Sequence, residues 1–243
     1  MMNRFFRLLT GALVVTTGLW HTNIEALEIS WTGQPDSFPL NMRRAQVTGF
    51  AGLNFGMGIE QVEQFVRDTW PAANIERQHD PVQRVTMLVF NIDDLAPVAD
   101  VPEFSAVPAP APATVTCVFG YQSQRLATVN VDWYAGRSAS EAQREALLTA
   151  GSAYTAHMLG DVWPMAHSSR GHVLDDGVLL MFAGRDIEGH GVEVRVHGIA
   201  MEILNPDGTV VQRPAPPGQA HLHIGVSAQP DEPDVFRLPD NSF

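Results

Sequence analysis

The clearest regularity in the chain is strict alternation: Ala127, Val129, Val131 and Trp133 interleave with Thr128, Asn130 and Asp132, and Val192, Val194 and Val196 interleave with Glu193, Arg195 and His197. A period of two places one set on a buried face and the other on a wet face, so both segments are expected to be half-buried strands. The first pairs with Thr114 to Tyr121 in a hairpin around Gln122-Ser123-Gln124, its second arm running Arg125 to Tyr134. A three-to-four spacing appears elsewhere. Ile59, Val62, Phe65, Val66 and Trp70 form one stripe and Glu60, Gln61, Glu63, Gln64, Arg67 and Asp68 the other, which predicts a one-sided helix from Gly58 to Thr69 stopped by Pro71. A second helix opens at Ser138-Ala139-Ser140-Glu141, where a serine can cap, and continues through Leu147, Leu148, Tyr154, Met158 and Leu159 with a break expected near Gly151.

Both helices lead to the same sequel. Asp68-Thr69-Trp70-Pro71 precedes a polar loop and an apolar run ending at Phe90; Asp161-Val162-Trp163-Pro164 precedes another ending at Phe182. The tryptophans are 163 − 70 = 93 positions apart and the phenylalanines 182 − 90 = 92, so the spacing holds within a residue. Such a repeat predicts an α+β protein of two tandem helix-plus-antiparallel-sheet units. The expected boundaries are a signal peptide at 1–26, a first unit at 27–136, a second at 137–212 and a Pro- and acid-rich tail at 213–243. Residues 93–113 form a Pro-rich insert expected to run as an exposed connection. Asn205-Pro206-Asp207-Gly208 reads as a turn, and 220–226 as the one strand candidate in a loosely held tail.

The opening residues carry a secretory pattern: Arg4 and Arg7, an apolar stretch from Leu8 to Trp20, and Ile24-Glu25-Ala26 at the cleavage position. The apolar stretch is short for a span of about 20 residues, so cleavage and a periplasmic or secreted location are expected, with no stable membrane insertion afterwards; an uncleaved anchor is the alternative. Removing Arg4, Arg7 and Glu25 turns 15 basic against 27 acidic side chains into 13 against 26, a net −13. That charge repels phosphate backbones, making nucleic acid a poor partner and a basic protein patch a better one.

All the Lys+Arg residues are arginines, which excludes a phosphate-loop lysine, a Schiff-base lysine and a Ser–Lys dyad. The single cysteine, Cys117, lies in an apolar strand and reads as a small buried hydrophobe. Asp93-Asp94 and Asp175-Asp176 are sequence neighbours that point opposite ways in extended chain, so turns suit them better than acid–base work. No Gly-x-Ser-x-Gly occurs, and 231–234 lacks the ligand alternation of a calcium loop. His221-Leu222-His223 puts two imidazoles on one side of a strand, a ligand pair to which His190, His197 or Asp186 could add; without more ligands it reads as two solvent-facing histidines on a late edge strand.

Gly56-Met57-Gly58-Ile59-Glu60-Gln61-Val62 resembles the helix-opening signature of the BamE (SmpA/OmlA) lipoproteins, and Phe119-Gly120-Tyr121 with Leu126-Ala127-Thr128-Val129 falls where that family's later hairpin would lie. The resemblance covers residues 50–134 and reaches 150–204 through the repeat. Tandem units of this kind are also similar to the β-lactamase inhibitor protein fold. Gly58 stands where the family has threonine, Pro71 comes later, and no lipobox cysteine follows the signal, so a lipid anchor does not carry over. The resemblance implies a non-catalytic scaffold that binds a protein partner.

The expected function is therefore that of an exported accessory protein without a resident cofactor. Its candidate binding face is the polar side of the two alternating strands, namely Thr128, Asn130, Asp132, Glu193, Arg195 and His197. The rival reading is a metal-binding protein or metal-dependent enzyme using His221 and His223. A small-molecule pocket between the two units is left open.

Overall fold

The computed structural model describes residues 43–97, 107–174, 177–204 and 208–237. The signal-like segment, the stretch around Trp31, Pro35 and Pro39, the Asp175-Asp176 pair and Asn205 to Asp207 lie outside these. Twelve strands and two α-helices follow in order: β1 (Gly49–Phe50), β2 (Leu53–Asn54), α1 (Ile59–Thr69), β3 (Glu76–His79), β4 (Thr86–Ile92), β5 (Ala113–Phe119), β6 (Leu126–Tyr134), α2 (Glu141–Met158), β7 (Ser168–Val173), β8 (Leu179–Arg185), β9 (Gly191–His197), β10 (Met201–Leu204), β11 (Val210–Arg213) and β12 (His221–Ser227). No described helix is long and apolar enough to cross a membrane.

Eight strands form one antiparallel sheet in the order β3-β4-β5-β6-β12-β9-β8-β7. This overturns the expectation of two helix-plus-sheet units. Two helices, of 11 and 18 residues, are all the α-helix among the described residues, and the chain is mostly β. β12 explains why two units do not form. It pairs along its whole length with β6 on one side and β9 on the other, so the two sets of strands share a continuous ladder and one buried core. Left as the ends of separate sheets, β6 and β9 would each expose a long row of unpaired backbone groups. The local correspondence around the tryptophans is nonetheless present: Trp70 packs on Phe90 with ring centroids 6.2 Å apart and Trp163 on Phe182 at 5.0 Å.

The inner face is apolar in every central strand. Val115 and Cys117, Val129, Val131 and Trp133, Val194 and Val196, and Leu222 and Ile224 are all buried there. Helix α2 contacts β8, β9 and β12. It is capped as its serines suggested: the Gln143 amide donates to Ser140 Oγ at 3.3 Å and the Ser140 amide to Gln143 Oε1 at 2.9 Å. The expected break at Gly151 does not occur. A Cβ there would fall 2.7 Å from Met181 Sδ and 3.0 Å from Leu222 Cδ1, so the glycine lets an unbroken helix lie close against the sheet.

Two edge strands, β3 and β7, escaped the alternation pattern because Glu76 to His79 and Ser168 to His172 carry no apolar period. The insert is less detached than its prolines implied, since Leu95 is buried and its carbonyl accepts from Trp133 Nε1 at 2.9 Å. Nor is the tail loosely held over its described residues, 213–237. It supplies the central strand β12, and beyond it the carboxylate of Asp234 accepts from the amides of Gln122 and Ser123 at 2.9 Å each.

Gly184 tests the packing of Trp163 against the sheet. A methyl there would fall 2.6 Å from Trp163 Cε3 and 2.8 Å from Phe182 Cζ, two rigid rings. Gly184→Ala is expected to lower the unfolding free energy by about 1–3 kcal/mol in urea denaturation, the usual cost of overpacking. An unchanged midpoint would show that the rings are not held where the fold places them.

Candidate functional site

The outward residues of β6, β12 and β9 line up in rows across the middle of the sheet. Register pairs Thr128 with Ser227, Asn130 with Gly225 and Glu193, Asp132 with His223 and Arg195, and Tyr134 with His221 and His197. All six candidate face residues, Thr128, Asn130, Asp132, Glu193, Arg195 and His197, thus lie on one surface. The two histidines weighed as metal ligands lie there too. Two hairpin faces expected in separate units are a single face because β12 joins them.

A charged network occupies its centre. His223 Nδ1–H donates to Asp132 Oδ1 at 2.8 Å, and its Nε2 lies 3.5 Å from Glu193 Oε1, an ion pair rather than a full hydrogen bond. Arg195 Nη2 donates to Glu193 Oε2 at 2.6 Å. The order is therefore Asp132, His223, Glu193, Arg195, with negative and positive groups alternating. Gly225 makes room for it: a Cβ at that position would fall 2.9 Å from His223 Nε2 and 3.3 Å from Glu193 Cγ. His223 and Asp132 keep 20% of their side-chain surface exposed, Glu193 34% and Arg195 43%.

Burial works against the charge on His223, but the hydrogen bond to Asp132, the contact with Glu193 and the two carboxylate charges outweigh it and carry the imidazole up to about 9. Glu193 is held below the ordinary carboxylate range, first by its contact with His223 and then, against the cost of burial, by Arg195. His221 moves the other way. Burial, and after it the neighbouring His197, favour its neutral form. The arrangement is a salt-bridged cluster whose histidine stays protonated at neutral pH. An imidazole already protonated cannot accept a proton as a general base.

The end of the face is set by Arg144, a buried side chain of α2. It donates to the carbonyls of Gly198 and Gly218, tying the chain that leaves β9 to the chain that enters β12. Gly198 at φ +77° completes that closure, because a Cβ there would fall 2.5 Å from the Gln219 carbonyl oxygen.

Other candidate groups lie elsewhere. Asp186 is buried and accepts from the amides of Val47, Glu188 and His190 at 2.8–2.9 Å, and with His190 it sits at the opposite end of β9 from His197. Six residues of strand separate those ends by roughly 20 Å, too far for shared ligation. Among the described residues no three His, Cys, Asp or Glu side chains converge as a metal-binding group. Cys117 is fully buried and its thiol is pushed up to about 12 by burial, so it is a packing residue. Asp93 and Asp94 occupy the turn after β4. A cleft of about 730 Å³ lies between the 228–237 segment and the β5–β6 hairpin, where Tyr121, Gln122, Arg125 and Phe236 line it, rather than between two units.

Sequence patterning identified the face but not the network. Alternation places Asp132 and Glu193 outward, whereas only the pairing of β12 between their strands brings His223 to both. No protein-family model matches this chain, and comparison with curated proteins and with solved structures finds no significant match. The likeness to the BamE lipoproteins rests on the residues that suggested it.

The titration of His223 has a definite sign. Unfolded, the imidazole titrates near 6.5; folded, near 9. Below the first value both states are protonated and the stabilisation is complete; it shrinks as pH rises between the two and is gone above the second. NMR titration is expected to place the His223 midpoint about 9 and to show it falling toward 6.5 in Asp132→Asn. In the same variant, part of the alkaline loss of Tm disappears. A midpoint near 6.5 in the unsubstituted protein would show that the network does not form.

Proposed function

We propose that this chain is an exported, non-catalytic accessory protein that recognises a protein partner through the outer face of its central strands. The single observation carrying this reading is the cluster of Asp132, His223, Glu193 and Arg195, with four alternating charges pre-arranged across β6, β12 and β9. Pre-organised charges on rigid strands suit recognition, since ordering them costs nothing further on binding. Arg195 gives one Nη2 donor to Glu193 while 43% of its side chain stays exposed, so the guanidinium lies at the surface that an acceptor on a docked partner would meet.

An acid–base enzyme fits the same residues less well. Its histidine would be held in the protonated form, and the hydroxyl that register sets beside the cluster, Thr114 opposite Asp132, donates instead to Asn91 Oδ1 at 2.9 Å. The partner that suits the chain is a protein with a basic surface. Net charge −12 steers such a partner inward and repels nucleic acid, while the alternating cluster fixes its register.

Proximity labelling in the native cell envelope tests the reading. A variant carrying Asp132→Asn, Glu193→Gln and Arg195→Ala is expected to lose the partner labelled by the unsubstituted chain while keeping its far-UV circular dichroism. Undiminished labelling by that folded variant would remove this face from the account.

A further inference from the structure

Beyond the charged cluster, the last row of the outer face contains Tyr134, His221 and His197 on three adjacent strands. His221 lies between the other two. Its ring stacks on Tyr134 with centroids 5.4 Å apart and faces His197 at 5.4 Å with an interplanar angle of 41°. The backbone beneath is fixed by the Arg144 contacts to Gly198 and Gly218, which close this end of β9 and β12. Two imidazoles are thereby held side by side on a rigid support, one of them stiffened by an aromatic neighbour.

We propose that His197 and His221 form a two-imidazole binding site for a divalent transition metal. Geometry selects this pair over the His221-x-His223 pair read along the strand. His223 is committed through Nδ1 to Asp132 at 2.8 Å and faces Glu193 with Nε2, so both its nitrogens are engaged in the ion-pair cluster. His197 and His221 stand at a separation that ligation can use. A cation about 2.0–2.1 Å from one nitrogen of each ring lies about 3.2 Å from each centroid, so two rings sharing it have centroids no more than about 6.4 Å apart, and the 5.4 Å found here meets that limit once a nitrogen of each ring turns to the shared point.

With no third His, Cys, Asp or Glu converging among the described residues, the site is open. Water, or a donor from a docked molecule, completes the coordination. Nitrogen and oxygen donors without thiolate place copper(II) above zinc in affinity. The site is independent of the docking reading, since it needs no partner and uses neither carboxylate of the cluster.

The test is isothermal titration of untagged, chelator-treated protein with Cu²⁺ and, separately, Zn²⁺, joined to electron paramagnetic resonance of the copper form. The expected result is saturable binding of one Cu²⁺ per chain, tighter than Zn²⁺, with two equatorial nitrogens. Affinity falls by on the order of tenfold or more in His197→Ala and in His221→Phe. The phenylalanine keeps a ring against Tyr134, so its loss of binding is not a loss of fold. His79→Ala and His172→Ala, which alter edge-strand histidines, leave the affinity in place. Absence of saturable binding by either cation, or binding indifferent to both His197 and His221, overturns the site and leaves the partner-docking reading untouched.

Discussion

The structure depends on one strand finding its place between two others. β12 forms its ladder with β6 through seven residue pairs and with β9 through seven more, running antiparallel to both. Its inward side chains, Leu222, Ile224 and Val226, are removed from solvent against the core that the helices cover. The strand therefore satisfies two sets of backbone groups and closes the apolar layer at once. Without it, β6 and β9 would be long central-type strands with bare edges and half-open undersides, an arrangement that proteins avoid because it invites pairing with other chains.

The surface chemistry follows from the same placement. Asp132 and Glu193 are far apart in sequence and belong to strands that do not touch each other. An imidazole donated by the intervening strand links them, and Gly225 leaves it the space to do so. One row further along, the same strand sets His221 between Tyr134 and His197. Two imidazole environments arise on a single face from residues two positions apart: His223, charged and engaged by carboxylates, and His221, pushed toward its neutral form by burial and by another imidazole. The Arg144 anchor in α2 couples this surface to the helix layer beneath, so the face inherits the rigidity of the core.

Much of this was readable from periodicity. Alternation in 126–134 and 191–197 located two strands and their wet sides, the stripe from Ile59 to Val66 located α1, and Ser140 with Gln143 formed the expected cap. The long-range partnership was not readable. The chain from Arg213 reads as a Pro- and acid-rich tail, and nothing local in His221 to Ser227 says whether a strand lies at an edge or at the centre. Backbone hydrogen bonding to distant segments decides that, and it left no local trace. Gly151 misled for a related reason. Low helix propensity suggested a break, whereas close approach of α2 to Leu222 and Val196 requires the missing side chain. The equal spacing of Trp70–Phe90 and Trp163–Phe182 reported a real similarity of packing, and it said nothing about whether the strands beyond would form one sheet or two.

Native-state hydrogen exchange of individual amides tests the central claim most directly, because it reads how each strand is held rather than whether the chain is folded. If β12 joins the two sets of strands, the amides of Leu222 and Ile224 exchange only through global opening, with the same free energy as those of Val131 in β6 and Val194 in β9. Release of the 221–227 amides at a much lower free energy, with β4 to β6 still protected, would contradict it and mean that the sheet is not held together from its centre.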